Sequence, residues 1–206
     1  VPDERTRKVI AHLRSENTYT EAVLDSVKDL RENLFQEMKA RVKEDDLSVP
    51  YRENGYWYSF RFEEGKEYPI HMRAPVGPEK DRVPEAFHDL LDENEMAKGH
   101  DYFDLADFEV APGNALMAYS LDTVGRRRYE IRFRDIHSSK DRPDLLVDVG
   151  EGGAFVDDNT FFYVKKDRSL RNARIFRHIL GTDQAEDVEV FHERNRAFSC
   201  DVYRSR

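Results

Sequence analysis

Three hairpins of matching length constrain this chain more than any other feature. Tyr58 is followed twelve residues later by Ile70, Tyr119 by Ile131 and Tyr163 by Ile175. Gly65, Gly125 or Asp167-Arg168-Ser169 lies near the middle of each interval. Aromatic and β-branched residues alternate with polar ones on both sides of these turns, the pattern of half-buried antiparallel strands. Glycine and Asp/Ser clusters supply the backbone freedom and local hydrogen bonds that a tight turn requires. After each hairpin comes a short apolar segment ending in acid: "LLDEN" from Leu90, "LLVDV" from Leu145 and "VEVFHE" from Val188. Before the second and third comes a lead-in strand, "FEVAPGN" from Phe108 and "AFVDDNT" from Ala154. Each unit therefore reads as four strands.

The tyrosines recur at separations of 61 and 44 residues, which bracket the ~40 to 50 residues of one propeller blade. Any antiparallel sheet produces similar hairpins. The propeller is favoured because the order of hairpin, third strand and lead-in strand repeats without an intervening helix. The expected blades lie near residues 54–97, 103–149 and 152–194, and "RAFSCDVYRSR" at 196–206 reads as the start of another. Propellers close with about four to eight blades, so the chain is expected to be one piece of something longer.

The first forty residues follow a different period. Val23, Val27, Leu30, Leu34, Met38 and Val42 are spaced by three and four, which gathers one apolar stripe on a helix. Thr18 and Glu21 have capping-box spacing, so either a helix starts near Thr18 or one runs through from Asp3. The spacing predicts that nothing helical follows. Residues 1–48 are read as a helical extension. Residues 49–53, Val49, Pro50, Tyr51, Arg52 and Glu53, are read as a hinge, because the helical period is lost and Pro50 biases Val49 toward an extended backbone. Residues 54–206 then form a mainly β unit, a partial β-propeller.

Charge narrows the partners. There are 33 Lys and Arg against 42 Asp and Glu, a net charge of −9. A nucleic-acid backbone would be repelled, since the basic residues are not segregated; Arg126-Arg127-Arg128 reads as a solvated turn or strand end. An acidic surface suits cationic partners such as basic peptides. One cysteine, Cys200, excludes an internal disulfide, suits a reducing compartment and is read as a small core residue on a strand. No apolar run approaches the ~20 residues that span a bilayer, so no membrane partner is expected and a cytoplasmic location is the default.

Motifs for self-contained catalysis are missing. There is no Gly-x-Ser-x-Gly nucleophile turn and no phosphate-binding Gly-x-x-x-x-Gly-Lys-Ser/Thr loop. The seven histidines include no His-x-x-x-His pair, and no metal or other cofactor is expected. Glu85 and His88 have Glu-x-x-His spacing, but in a single copy beside Pro84. Asp157-Asp158 is first of all a turn, with a glycosidase carboxylate pair as a third reading. Trp57 between Tyr56 and Tyr58 reads as blade packing, with a stacking platform as the alternative.

With helix, linker and blades laid out, the segments "SENTYTEAVL", "RVKEDDLSVPYRENGYWYSFRFEEGKEYPI", "LLDENEMAKGHDYFDLADFEVAPGN", "AYSLDTVGRRRYEIRFRDI" and "FFYVKKDRSLRNARIFRHILGT" resemble the N-terminal part of the oligopeptidase B group of the prolyl oligopeptidase family. The resemblance runs from about Arg14 to Val202. "APGN" and Phe155 depart from it, where the group more often has Ser-Pro-Asp and tryptophan. It implies a fragment of a serine peptidase made of an α/β-hydrolase domain capped by a seven-bladed propeller, cutting short peptides after Lys or Arg. It also implies that the helical extension packs on a hydrolase domain absent from this chain, that Val49 to Glu53 form the hinge, and that every catalytic residue lies in that absent domain. The chain alone is then expected to be inactive. A non-catalytic propeller scaffold that binds protein or peptide is the alternative.

Overall fold

A computed structural model describes residues 3–205. The chain divides into two compact units between Asp46 and Leu47. The first holds two helices, α1 (Glu4–Asp25) and α2 (Lys28–Ala40). The Asp3 carboxylate caps α1 by accepting the Thr6 N–H at 2.7 Å, which satisfies one orphan donor of the first turn. Of the two starting points open in the sequence, the structure takes the earlier. Thr18 lies inside α1, with its hydroxyl donating back to the Arg14 carbonyl at 3.0 Å, a bond that removes it from capping. The helical run breaks at Ser26-Val27, where Val27 has φ −118° and offers no side-chain cap. Neither helix has a buried residue.

The second unit consists of three four-stranded antiparallel sheets. The first contains β1 (Tyr51–Glu53), β2 (Tyr56–Arg61), β3 (Ile70–Pro75) and β4 (His88–Asp92). The second contains β5 (Asp104–Val110), β6 (Leu116–Asp122), β7 (Tyr129–Asp135) and β8 (Lys140–Val149). The third contains β9 (Gly153–Phe155), β10 (Thr160–Lys166), β11 (Asn172–Ile179) and β12 (Val188–His192). Strands pair in chain order within each sheet, and each has an irregularity between its third and fourth strands. Tyr58, Tyr119 and Tyr163 all stand on second strands, opposite Arg73, Arg132 and Phe176, and all are buried. These are the repeating units of a propeller, of which this chain forms part.

Equal spacing does not mean equal register. Ile131 and Ile175 pair with Ser120 and Val164, the residues just after Tyr119 and Tyr163. Ile70 instead pairs with Arg61, three residues after Tyr58. The first hairpin therefore has the longer turn.

Three expectations are corrected. A short helix, α3 (Glu93–Met96), follows β4; the Asp92 carboxylate starts it by accepting the Asn94 N–H at 2.9 Å. The Asn94 side chain meanwhile pairs with both backbone groups of Tyr68, at 3.0 and 2.8 Å. Residues 196–205 form no strand. Cys200 is accordingly not a strand residue: its N–H donates to the Asn172 carbonyl at 3.0 Å and its thiol to the same oxygen at 3.6 Å, an isolated contact rather than a ladder. Finally, the first sheet begins at Tyr51 rather than at residue 54, because β1 pairs fully with β2.

Apolar clusters fill the spaces between successive sheets. Phe133, Phe155, Phe161, Leu146 and Tyr163 centre the larger one, and Leu91, Phe103, Met117 and Leu121 the smaller. Burying each large side chain contributes roughly 1.5–3 kcal/mol. The turn from β6 to β7 folds around one carboxylate: Asp122, 2% exposed, accepts the N–H groups of Val124, Gly125, Arg126 and Arg127 at 2.7–2.9 Å. Burial pushes this carboxyl up, but the four N–H bonds outweigh it and hold it below the ordinary range. Asp167 plays the same part in the β10–β11 turn, bonding Ser169 and Arg171.

Candidate functional site

The five expected hinge residues fall into two settings. Leu47 bridges Arg61, and Ser48 is fixed on β2 by its N–H to the Phe60 carbonyl at 2.9 Å and by its hydroxyl, which accepts the Phe60 N–H at 3.0 Å. Val49, 88% exposed, and Pro50 follow without strand pairing. Tyr51, Arg52 and Glu53 are β1 and pair with Tyr58, Trp57 and Tyr56. Tyr51 stacks on Tyr58 with ring centroids 5.5 Å apart. Arg52 donates to the Lys80 carbonyl at 2.9 Å and lies 5.9 Å from the Trp57 ring. The segment read as a hinge is therefore held on β2 on both sides of Val49-Pro50.

Between the first strands of the first two sheets lies a cleft that sequence reasoning did not single out. Tyr51, Glu53, Tyr58, Phe108, Glu109 and Arg204 line it. Glu53 and Glu109 are 56 positions apart, and the adjacency of β1 and β5 brings them together. No described residue donates a hydrogen bond or forms an ion pair with either carboxylate. Burial pushes the Glu109 carboxyl up to about 7, and the negative charges of Glu53 and Asp107 add to the effect while Arg204 opposes it. The one sequence signal was position, since Glu53 and Glu109 both lie just ahead of the turn from a first to a second strand.

Two polar clusters fasten the second and third strands to an acid, on the fourth strand in the second sheet and just before it in the third. In the second sheet the Tyr119 hydroxyl donates to Asp141 at 2.9 Å and accepts from Arg134 at 3.0 Å. Burial pushes the Tyr119 phenol up to about 12. In the third, Asp187 receives the Tyr163 hydroxyl at 2.7 Å and lies 2.7 Å from His178 Nδ1. His178 is 1% exposed, so this His–Asp pair faces the core rather than a substrate. Among the described residues no serine hydroxyl or cysteine thiol is hydrogen-bonded to a histidine. Asp157 and Asp158 spend their oxygens on turns, bonding Asn159 and Thr160 N–H and Gly113 N–H. Trp57 Nε1 is buried without a partner, which is packing rather than an open platform.

Comparisons with known proteins agree in kind. The family model described as prolyl oligopeptidase, N-terminal beta-propeller domain, matches residues 1–206. Dipeptidyl aminopeptidase BI of Pseudoxanthomonas mexicana is 41% identical over 99% of this chain, and Protease 2 of Moraxella lacunata 25% over 99%. The chain spans 30% of the length of each. Oligopeptidase B from Leishmania major superposes with a TM-score of 0.83 at 32% identity, covering 93% of this chain and 27% of that one. Oligopeptidase B from Trypanosoma brucei, in a closed form with covalently bound antipain, gives 0.82 at 31% identity, covering 96% and 28%.

Proposed function

The chain belongs to the N-terminal β-propeller family of the prolyl oligopeptidases, and on that premise we propose that it is the substrate-gating portion of a serine peptidase that cuts short peptides after Lys or Arg. The likeness to the Leishmania major oligopeptidase B, at 32% identity over 93% of the chain, carries this reading. The acyl-transfer machinery of nucleophile, base and oxyanion donors belongs to a hydrolase domain outside these residues. A propeller over such a site filters substrates by size, since folded proteins cannot reach the nucleophile while flexible peptides can. α1 and α2, whose apolar side chains are exposed, would pack on that hydrolase domain. Within the expected hinge, Tyr51, Arg52 and Glu53 move with the first sheet. Bending then falls to residues 41–46, with Val49 and Pro50 as a short extended spacer. A single cysteine suits a cytoplasmic setting.

A second reading comes from the relative that is 41% identical, named a dipeptidyl aminopeptidase, which suggests release of dipeptides from a free amino terminus. The whole gene product separates the two when assayed on fluorogenic peptides with acetylated or free amino termini. Cleavage after Arg or Lys regardless of acetylation, blocked by a serine-directed inhibitor, is the expected result. Strict dependence on a free amino terminus would transfer the protein to the second reading. Absence of hydrolysis would leave a binding scaffold.

A further inference from the structure

We infer that the cleft between β1 and β5 is a binding site for the guanidinium or ammonium group of a basic peptide side chain, held between the Glu53 and Glu109 carboxylates and the Tyr51, Tyr58 and Phe108 rings. The inference deepens the peptidase reading by naming a contact for substrate on the propeller itself. Three observations carry it. The walls combine stacked tyrosines with two acids, and a planar organic cation is attracted by both ring faces and carboxylates. Both carboxylates lack a hydrogen-bond or ion-pair partner among the described residues, although Glu109 is half-buried, so their lone pairs are available. A guanidinium already stands there: Arg204 lines the cleft, and its charge is the one that eases Glu109 toward ionisation.

Arg204 is a stand-in of the ligand's own chemistry. With it in place, only about 40 Å³ of cavity remains, room for a few water molecules, so an incoming cation must displace it. Other charges facing Glu109 are Glu53 on β1 and Asp107 on its own strand, both negative. A cation bound there pairs with ionised Glu109, so binding strengthens as pH rises from 6 to 8.

The 206-residue chain is titrated with N-acetyl-arginine amide, with its uncharged citrulline isostere and with glycinamide, following backbone amide signals by NMR at each pH. Shifts should centre on Asn54 and on 108–110 with the arginine probe and be absent with citrulline. Glu109→Gln, whose folding the same spectra report, should weaken binding at least tenfold. Arg204→Ala should tighten it about threefold beyond Arg196→Ala, which changes net charge equally away from the cleft. Equal binding of citrulline, shifts centred elsewhere, or an unaltered Glu109→Gln would overturn the assignment. Equal binding of glycinamide would overturn the side-chain assignment in favour of a peptide α-ammonium. Since no hydrolysis is measured, these outcomes are independent of whether the gene product is a peptidase.

Discussion

The first and second sheets meet differently from the second and third. Between the second and third, Phe133, Phe155 and Phe161 interlock edge to face with ring centroids 4.8–6.1 Å apart. Side chains also fasten backbone across that junction. Gln184 pairs with both backbone groups of Val147 at 3.0 and 3.1 Å, Asp144 accepts the Gly181 N–H, and Asp158 accepts the Gly113 N–H at 2.6 Å. The first junction relies on fewer devices: Asn54 donates to the Pro112 carbonyl at 2.9 Å and accepts from Asn114 at 3.2 Å. There, too, the buried Arg73 reaches the Asn114 carbonyl at 2.9 Å, yet Arg73 Nη1 and Asn114 Oδ1 stay buried and unpaired. Unpaired buried polar atoms, each costing about 1–3 kcal/mol, do not separate the junctions, since Asn172 Oδ1 and His178 Nε2 of the third sheet lack hydrogen-bond partners too; the unequal glue lies in the three interlocked rings and the side-chain bonds to backbone.

The largest test removes one large side chain from each junction. Leu146→Ala should lower stability by about 4–5 kcal/mol and Leu91→Ala by about 2–3 kcal/mol, the upper and lower parts of the range for a buried leucine, measured by urea unfolding of the chain. Both are leucines almost fully buried, at 0% and 2% exposed, one in each apolar cluster, so the difference reads the packing around them. An equal loss, or a greater one at Leu91, would break the comparison.

How much of this was legible follows from what each residue depends on. Strand order and turn positions were readable because alternation and turn residues are local properties, and Asp167-Arg168-Ser169 announces its turn chemically. β1 was not, because Tyr51-Arg52-Glu53 is three residues long and becomes a strand only by pairing with Tyr56 to Tyr58. α3 escaped notice for a similar reason: four residues carry no period, and Asp92 and Asn94 act through bonds to partners elsewhere. The cleft acids Glu53 and Glu109 belong to different sheets, and no pattern along the chain reports which sheets are neighbours. Equally, twelve-residue spacing could not reveal that Ile70 sits in a different register from Ile131 and Ile175.

A middle-sized effect separates the two polar clusters. Asp187→Asn leaves His178 and the Tyr163 hydroxyl facing an altered partner in a site that is at most 3% exposed, and should cost about 3 kcal/mol. Asp141→Asn disturbs the matching cluster of the second sheet, where the Asp141 side chain is 33% exposed, and should cost about 1 kcal/mol. Burial pushes the Asp141 carboxyl up, but bonds from Arg134 and Tyr119 outweigh it and hold it below the ordinary carboxylate range. Its folded pKa is thus depressed, so its stabilisation is present above the unfolded value and is lost as pH falls through the folded one. The cost of Asp141→Asn should therefore shrink in acid, from neutral pH toward pH 3. A constant gap across that window would show that Asp141 acts through packing alone.

The smallest effect lies in the turns between second and third strands. The first and second sheets place glycine in the left-handed region there, Gly65 at φ +76° and Gly125 at φ +73°. The third has no glycine in that turn and uses Leu170, at φ +64°. A left-handed backbone costs a non-glycine residue roughly 1–2 kcal/mol, while glycine gives back part of that gain through the greater freedom of its unfolded chain. Leu170→Gly should therefore stabilise the chain by only about 0.5 kcal/mol, visible as a small rise in the urea midpoint. Gly125→Ala should act in the opposite direction, since an added Cβ would meet a strained φ and stand 3.4 Å from the Tyr102 ring. If Leu170→Gly instead destabilises, the half-exposed leucine contributes packing to the third sheet that outweighs its backbone strain, and even the turn of that sheet would belong to the tighter side of the molecule.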